Sequence, residues 1–209
     1  MRVVFMGTPD FAVPSLRELA SRFEVVLVLT RPDAVRSRGK KLEPSPVKAA
    51  ALELDIPVME ATRITPEVMD RLREADADIF CVAAYGCILP DDVLHMAPLG
   101  IVNVHASLLP RWRGAAPIQW AVIAGDEKAG VTTMLMAEGL DTGDMLLTSE
   151  TPVGARETAG ELFDRLAQSG AELLTETLVR LDEITPRPQN DAESCYAHML
   201  DKKMAVIDW

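Results

Sequence analysis

The stretch GIVNVHASLLPR at residues 100–111 organises the rest of the chain. It begins with β-branched residues and ends in a proline-containing loop, a pattern that predicts a strand followed by an exposed turn. Because side chains alternate along a strand, Asn103 and His105 share a face near its carboxyl end, where open parallel sheets bind ligands. An amide and an imidazole aimed at one point could stabilise an oxyanion and move a proton. The same pair is equally typical of the polar edge of a half-exposed strand.

The start of the chain predicts a parallel sheet. Residues 3–6 form an apolar run, residues 11–22 carry apolar side chains at helical spacing, and residues 24–30 form a second apolar run. Strand, helix and strand at this spacing indicate a βαβ unit. The first turn contains a single glycine, Gly7, and lacks the G-x-G-x-x-G pattern, so the sequence does not predict a dinucleotide site.

The remaining segments complete an expected α/β fold. Residues 130–136 and 145–152 predict an antiparallel hairpin that is added to the sheet, and residues 158–181 predict a long amphipathic helix. Further elements are predicted as helices over 46–54, 65–74 and 114–124 and as strands over 56–59 and 78–84. The expected fold is a Rossmann-like, doubly wound, mostly parallel sheet with helices on both faces.

Composition limits the class of protein. With 209 residues, 48% of them hydrophobic, the chain can form a folded core. No apolar run reaches the ~18 residues of a membrane span. The three cysteines, Cys81, Cys87 and Cys195, are an odd number without ligand spacing. They indicate reduced thiols and a cytoplasmic protein.

Basic charge is concentrated in one segment. The net charge of −11 argues against general attraction to nucleic acid, but residues 31–48 carry +4 and the rest of the chain −15. Proline, glycine and the absence of periodicity predict a long loop over residues 31–46. Such loops are usually functional or disordered. This one either reaches for phosphate groups or only keeps the protein in solution.

Asp141 is the third candidate for chemistry. Gly139 and Gly143 flank it, so its turn could approach a ligand closely. A carboxylate near His105 would orient the ring and favour the imidazolium. The chain has no G-x-S-x-G elbow and no cysteine placed beside a histidine, which favours acyl transfer without a covalent enzyme intermediate. No cluster of Cys, His and carboxylate residues has the spacing of metal ligands.

Several motifs resemble the folate-dependent formyltransferases. These are NVHASLLPR at residues 103–111 and LDTGD at residues 140–144. Other segments are similar to the members that act on methionyl-initiator tRNA, namely GTPDF (7–11), KKL (40–42), PSPVK (44–48) and RWRGAAPIQ (111–119). The chain departs from the family at residues 34–37, where AVRS replaces a Pro-Ala-Gly pattern, and at Cys87, where an aliphatic residue is common.

The resemblance implies roles for named residues. Asn103, His105 and Asp141 are the expected catalytic residues, with 10-formyltetrahydrofolate as a diffusing co-substrate and no metal. The folate is expected to contact two loops, formed by Tyr85, Gly86, Cys87, Ile88 and Leu89 and by Ser107, Leu108, Leu109 and Pro110. Arg38, Lys40 and Lys41 are expected to bind tRNA, and Phe11 to shape the methionyl pocket.

The resemblance also implies a domain organisation. Residues 1–189 are the expected catalytic domain, and residues 190–209 a linker toward an OB-like domain that this chain lacks. We expect a monomer. Two other functions stay open at this point: formyl transfer to an amino sugar or a small ribonucleotide amine, and a non-catalytic module that binds folate or tRNA. Formylation of a small amine would indicate the first, and binding without formyl release the second.

Overall fold

The fold is a central sheet with helices packed on both faces. A computed structural model describes residues 1–35 and 42–206. The strands are β1 (Arg2–Gly7), β2 (Glu24–Thr30), β3 (Ala34–Val35), β4 (Leu42–Glu43), β5 (Val58–Glu60), β6 (Ile79–Ala83), β7 (Ile101–His105), β8 (Arg113–Gly114), β9 (Lys128–Leu135), β10 (Met145–Pro152) and β11 (Tyr196–Ala197). The helices are α1 (Val13–Arg22), α2 (Pro46–Glu53), α3 (Pro66–Glu74), α4 (Asp91–Leu94), α5 (Pro117–Ile123) and α6 (Ala159–Val179).

The main sheet has the predicted strand directions. Its strands lie in the order β10-β9-β7-β6-β1-β2-β5. The five strands from β7 to β5 in this order are parallel, whereas β9 is antiparallel to both β7 and β10. The prediction of a mostly parallel sheet with an added antiparallel hairpin is therefore confirmed.

Two apolar cores lie on opposite faces of this sheet. Alternation along β1 directs Val3 and Phe5 into one core and Val4 and Met6 into the other. The first core is completed by α1, α2, α5 and α6, and the second by α3 and α4. Burying one such side chain stabilises the fold by about 1.5–3 kcal/mol. The predicted doubly wound arrangement is thus confirmed.

Helix α6 supports the strand that carries Asn103 and His105. It begins with a capping box, in which the Thr158 hydroxyl accepts from the Glu161 amide and the Glu161 carboxylate accepts from the Thr158 amide. Within the helix, a Cβ at Gly170 would lie 2.9 Å from Cγ1 of Val104. The glycine therefore lets α6 approach the back of β7 closely.

Three predicted boundaries differ from the structure. The helix expected over 114–124 begins only at Pro117, because Arg113 and Gly114 pair with β11. The segment 190–209, expected to be a linker, contains that strand. Short strands β3 and β4 pair within the segment expected to be a loop. The pairing of β8 with β11 joins residues more than 80 positions apart, so local patterns do not reveal it.

Candidate active site

A cavity of about 530 Å³ opens at the carboxyl ends of β1, β6 and β7. In the sheet β1 lies between β2 and β6: the chain continues from β1 to β2 and β5 on one side and returns to β6 on the other side. Doubly wound sheets bind ligands at this kind of switch point. The wall comes from β7, from segments that follow β1, β6, β9 and β11, from α5 and α6, and from the Asp141 turn. Its residues include Pro9, Phe11, Ala84, Tyr85, Gly86, Cys87, Ile88, Asn103, His105, Gln119, Met136, Leu140, Asp141, Phe163 and Met199.

Asn103 and His105 both line this cavity and are almost fully buried, with 8% and 7% of their surface exposed. Neighbouring Ile101 packs into the core on the same face of β7. Within residues 1–35 and 42–206, no hydrogen-bond partner is found for the Asn103 side-chain amide. Its N–H donors are thus left for a ligand, in a site where little water competes.

The His105 ring is oriented by a backbone carbonyl. Its Nε2 lies 2.8 Å from the carbonyl oxygen of Trp112, and because a carbonyl only accepts, Nε2–H is the donor. Nδ1 lies 3.7 Å from Oδ2 of Asp141, which is within ion-pair range but too long for a hydrogen bond. The structure thus gives the orienting hydrogen bond to Trp112 rather than to Asp141, and Nδ1 is the nitrogen left to exchange a proton with a substrate.

The position of the Trp112 carbonyl depends on Asp126. The carboxylate of Asp126 accepts from Nε1 of Trp112 at 2.7 Å and from two guanidinium nitrogens of Arg111 at 2.6 and 3.0 Å. The Arg111 guanidinium lies 4.3 Å from the centre of the Trp112 ring. Hydrogen bonds from Arg111, with one from Trp112, hold the pKa of Asp126 below its usual value. The charged form of Asp126 is therefore the form that binds the side chains of Arg111 and Trp112.

The Asp141 turn is closed by glycines. A Cβ at Gly143 would overlap the carbonyl oxygen of Leu135, and one at Gly139 would overlap the Thr142 hydroxyl. Both glycines are thus needed for packing within the turn, in addition to the approach to a ligand that the sequence indicated. Asp141 itself has φ +53°, and its Oδ2 accepts from the Gly114 amide at 2.8 Å.

The two loops expected to contact folate differ in position. Tyr85, Gly86, Cys87 and Ile88 line the cavity, whereas Leu89, Ser107, Leu108, Leu109 and Pro110 do not. The Ser107 hydroxyl donates to the Arg111 carbonyl at 2.6 Å. The second loop therefore helps to fix the backbone that leads to Trp112. The Tyr85 hydroxyl donates to the Ala61 carbonyl at 3.3 Å, and burial raises the pKa of Tyr85.

The residue expected to shape the methionyl pocket lies at the cavity, whereas those expected to bind tRNA lie outside the described part of the chain. Phe11 lines the cavity and packs edge-on against Phe163, with ring centres 5.5 Å apart. Arg38, Lys40 and Lys41 lie outside the described residues. In the same basic segment, Lys48 binds Asp33 at 2.7 Å and Glu60 at 3.0 Å, and the hydrogen bond to Asp33 is the main cause of its raised pKa.

Sequence reasoning missed an apolar rim around the cavity. Ile88, Leu140 and Met199 line the cavity and are 91%, 62% and 73% exposed. Met199 belongs to residues 190–209, the expected linker, and it reaches the site because β11 pairs with β8. The Cys-Tyr-Ala-His-Met stretch carries no local pattern that reveals this contact. The boundary at residue 189 stays a prediction.

The arrangement combines the groups that acyl transfer requires. An unpaired amide donor can bind a developing oxyanion, and the imidazole and carboxylate can move a proton. Within the described part of the chain, no set of three or more His, Cys, Asp or Glu side chains is arranged to hold a metal ion. None of the helices described there has the length and apolar character that a membrane span requires.

The sequence matches a known family and named relatives. The family described as formyl transferase matches residues 1–178. A methionyl-tRNA formyltransferase from Clostridium novyi (strain NT) is 52% identical over 100% of this chain and 69% of its own length. A protein of the same name from Trichlorobacter lovleyi is 50% identical over 100% of this chain and 67% of its own length.

Solved structures share the fold at low identity. A glycinamide ribonucleotide transformylase from Symbiobacterium toebii has a TM-score of 0.73 at 20% identity, covering 91% of this chain and 94% of that chain. An N-formyltransferase from Helicobacter canadensis, complexed with folinic acid and dTDP-3-aminofucose, has a TM-score of 0.72 at 21% identity, covering 94% of this chain and 70% of that chain.

Proposed function

The chain belongs to the formyl transferase family, and on that premise we propose that it moves a formyl group from 10-formyltetrahydrofolate to the α-amine of methionyl-initiator tRNA. The observation that carries this proposal is the convergence of Asn103, His105 and Asp141 on one cavity. The relatives support the choice of acceptor, since the methionyl-tRNA formyltransferases above are 50–52% identical to this chain. The ribonucleotide and sugar enzymes are only 20–21% identical to it. We propose that the protein is a monomer and that it acts in the cytoplasm.

The proposed reaction is direct attack by the amine. The amine nitrogen forms a bond to the formyl carbon, and the carbonyl electron pair moves to oxygen. The Asn103 amide and a protonated His105 Nδ1 donate to that oxyanion, in a site that excludes most water. Asp141 accepts the proton that the amine loses, through a water molecule. Collapse of the intermediate then breaks the bond from carbon to N10 of the folate, and N10 takes up the proton that Asp141 returns through the same water molecule.

The cavity suits the two proposed substrates. Its wall after β6 is mostly apolar, from Tyr85 to Ile88, and can hold the flat pterin ring. Phe11 and Phe163 form an aromatic wall suited to the methionyl side chain. Ile88, Leu140 and Met199 at the rim can exclude water once both substrates are bound.

We expect a competition assay to identify the acceptor. The chain is incubated with 10-formyltetrahydrofolate and three amines: methionyl-initiator tRNA, an amino-sugar nucleotide and a small ribonucleotide amine. The expected result is formyl transfer to the tRNA with the highest kcat/KM. Preferred formylation of either small amine contradicts the proposed acceptor. Binding of folate or tRNA without formyl release indicates the non-catalytic alternative.

The basic segment provides a second test of the acceptor. Replacing Lys40 and Lys41 with glutamine is expected to weaken tRNA binding. The negative slope of log K against log salt should become shallower by about 1–2, because a protein with fewer phosphate contacts releases fewer counterions on binding. Folate affinity should stay unchanged. Titrations at several salt concentrations measure the slope, and the Arg71→Gln/Arg73→Gln variant of α3 is the control. Equal slopes for the Lys40/Lys41 variant and the parent would remove this segment from the tRNA site.

A further inference from the structure

Gln189 connects the Asp141 turn to β8. Its Nε2 donates to the backbone carbonyl oxygens of Asp141 and Gly143, at 2.8 Å each. Its Oε1 accepts from Nε of Arg113 at 2.9 Å. Because an arginine side chain has only donors, the amide has one possible orientation, and its oxygen and both of its protons are used.

The same strand binds Asp141 a second time. Gly114, the neighbour of Arg113 in β8, donates its amide to the Asp141 carboxylate at 2.8 Å. Strand β8 thus holds the carboxylate directly and the backbone of residue 141 through Gln189. These contacts hold Asp141 at φ +53°, in the left-handed backbone region that residues other than glycine adopt infrequently.

We propose that Gln189 is a positioning residue for formyl transfer, which acts by fixing the Asp141 carboxylate relative to Nδ1 of His105. This inference rests on the proposed function, since it requires that Asp141 take part in the reaction. The distance that Gln189 would maintain is the 3.7 Å between Asp141 Oδ2 and His105 Nδ1. An error of about 1 Å in such a distance can cost about 100-fold in rate.

Other contacts hold the segment around Gln189 in place, so the role of its side chain can be tested separately from the stability of that segment. Met145 and Arg187 exchange two backbone hydrogen bonds, at 2.8 and 2.9 Å, so the segment before Gln189 is held without its side chain. The buried Arg113 guanidinium also binds Asp191 at 2.8 Å. Removing the Gln189 amide therefore leaves these other attachments in place.

Two substitutions at residue 189 test the proposal. Gln189→Leu removes the amide at similar volume, whereas Gln189→Glu removes the two donors but can still pair with Arg113. Each is expected to lower kcat about 10- to 100-fold and to change KM for both substrates less than about three-fold, because the loss is of alignment rather than binding. Steady-state kinetics measure both constants. The control Gln168→Leu, which removes an α6 amide whose contact is Glu172, should keep the parent values.

A double-mutant cycle distinguishes positioning from general stabilisation. If Gln189 acts through the Asp141 carboxylate, Gln189→Leu should lower kcat less than about two-fold when Asp141 is already asparagine. An equal loss in both backgrounds would overturn the proposal. Parent kcat in both residue-189 variants would overturn it as well. If circular dichroism shows that Gln189→Leu is unfolded, Gln189→Glu is used in the same cycle.

The cycle also distinguishes failure of this inference from failure of the proposed function. A slow Asp141→Asn variant combined with a fast Gln189→Leu variant contradicts only the role of Gln189. A fast Asp141→Asn variant contradicts the role of Asp141 in the proposed reaction, and the positioning role of Gln189 with it.

Discussion

Replacing His105 with alanine is expected to lower kcat for formyl transfer at least ~100-fold. The substitution removes the nitrogen that faces both Asp141 and the cavity, and a positioned acid or base is typically worth 10²- to 10⁴-fold. Replacing Asn103 with alanine is expected to have an effect of similar size, because one oxyanion donor is worth about 10²- to 10³-fold. Single-turnover measurements with saturating folate and tRNA report the chemical step.

The exposed His95 supplies a matched control for this experiment. It lies outside the cavity and contacts Asp91 at 3.2 Å, so His95→Ala should retain the parent rate. Thermal unfolding should show that the His105 and Asn103 variants are folded. A folded Asn103→Ala protein that formylates at the parent rate would refute the role assigned to that amide.

Replacing Gly143 with alanine is expected to lower kcat about 100-fold and the free energy of unfolding by about 1–3 kcal/mol. The added Cβ would overlap the Leu135 carbonyl oxygen, which belongs to β9 and cannot give way as a flexible side chain could. The turn must therefore shift, and Asp141 shifts with it. Steady-state kinetics and chemical denaturation measure the two effects.

Gly160 in the first turn of α6 is the control for this second prediction. The nearest atom to a Cβ at Gly160 is the Thr158 hydroxyl at 3.8 Å, so the site accommodates alanine. Gly160→Ala should keep the parent kcat and raise the free energy of unfolding by about 0.4–1 kcal/mol, because alanine restricts the unfolded chain. Parent activity in Gly143→Ala would show that the turn tolerates the displacement.

The sequence predicted the sheet and the strand with Asn103 and His105 because these depend on local patterns. Alternation along β7 is enough to place the two side chains on one face, and a strand-helix-strand spacing is enough to predict parallel strands. The orienting partner of His105 could not be predicted in this way. This partner is the backbone carbonyl of Trp112. Every residue has a backbone carbonyl, so the sequence does not indicate which one faces the ring.

Residues 190–199 show a second limit of local patterns. The family resemblance implied a linker here, yet β11 pairs with β8 and brings Met199 to the cavity. The pairing depends on Arg113 and Tyr196, which are far apart in sequence. Only the tertiary arrangement, in which both segments meet beside the Asp141 turn, makes the pairing possible.

The pairing of β8 with β11 has a consequence for biosynthesis. Synthesis proceeds from the amino terminus, so every strand of the main sheet leaves the ribosome before Tyr196 does. The nascent chain can therefore bury most of its core while one side of the cavity is still missing. We therefore expect a chain released before residue 196 to lack both the strand that pairs with β8 and the cavity residue Met199.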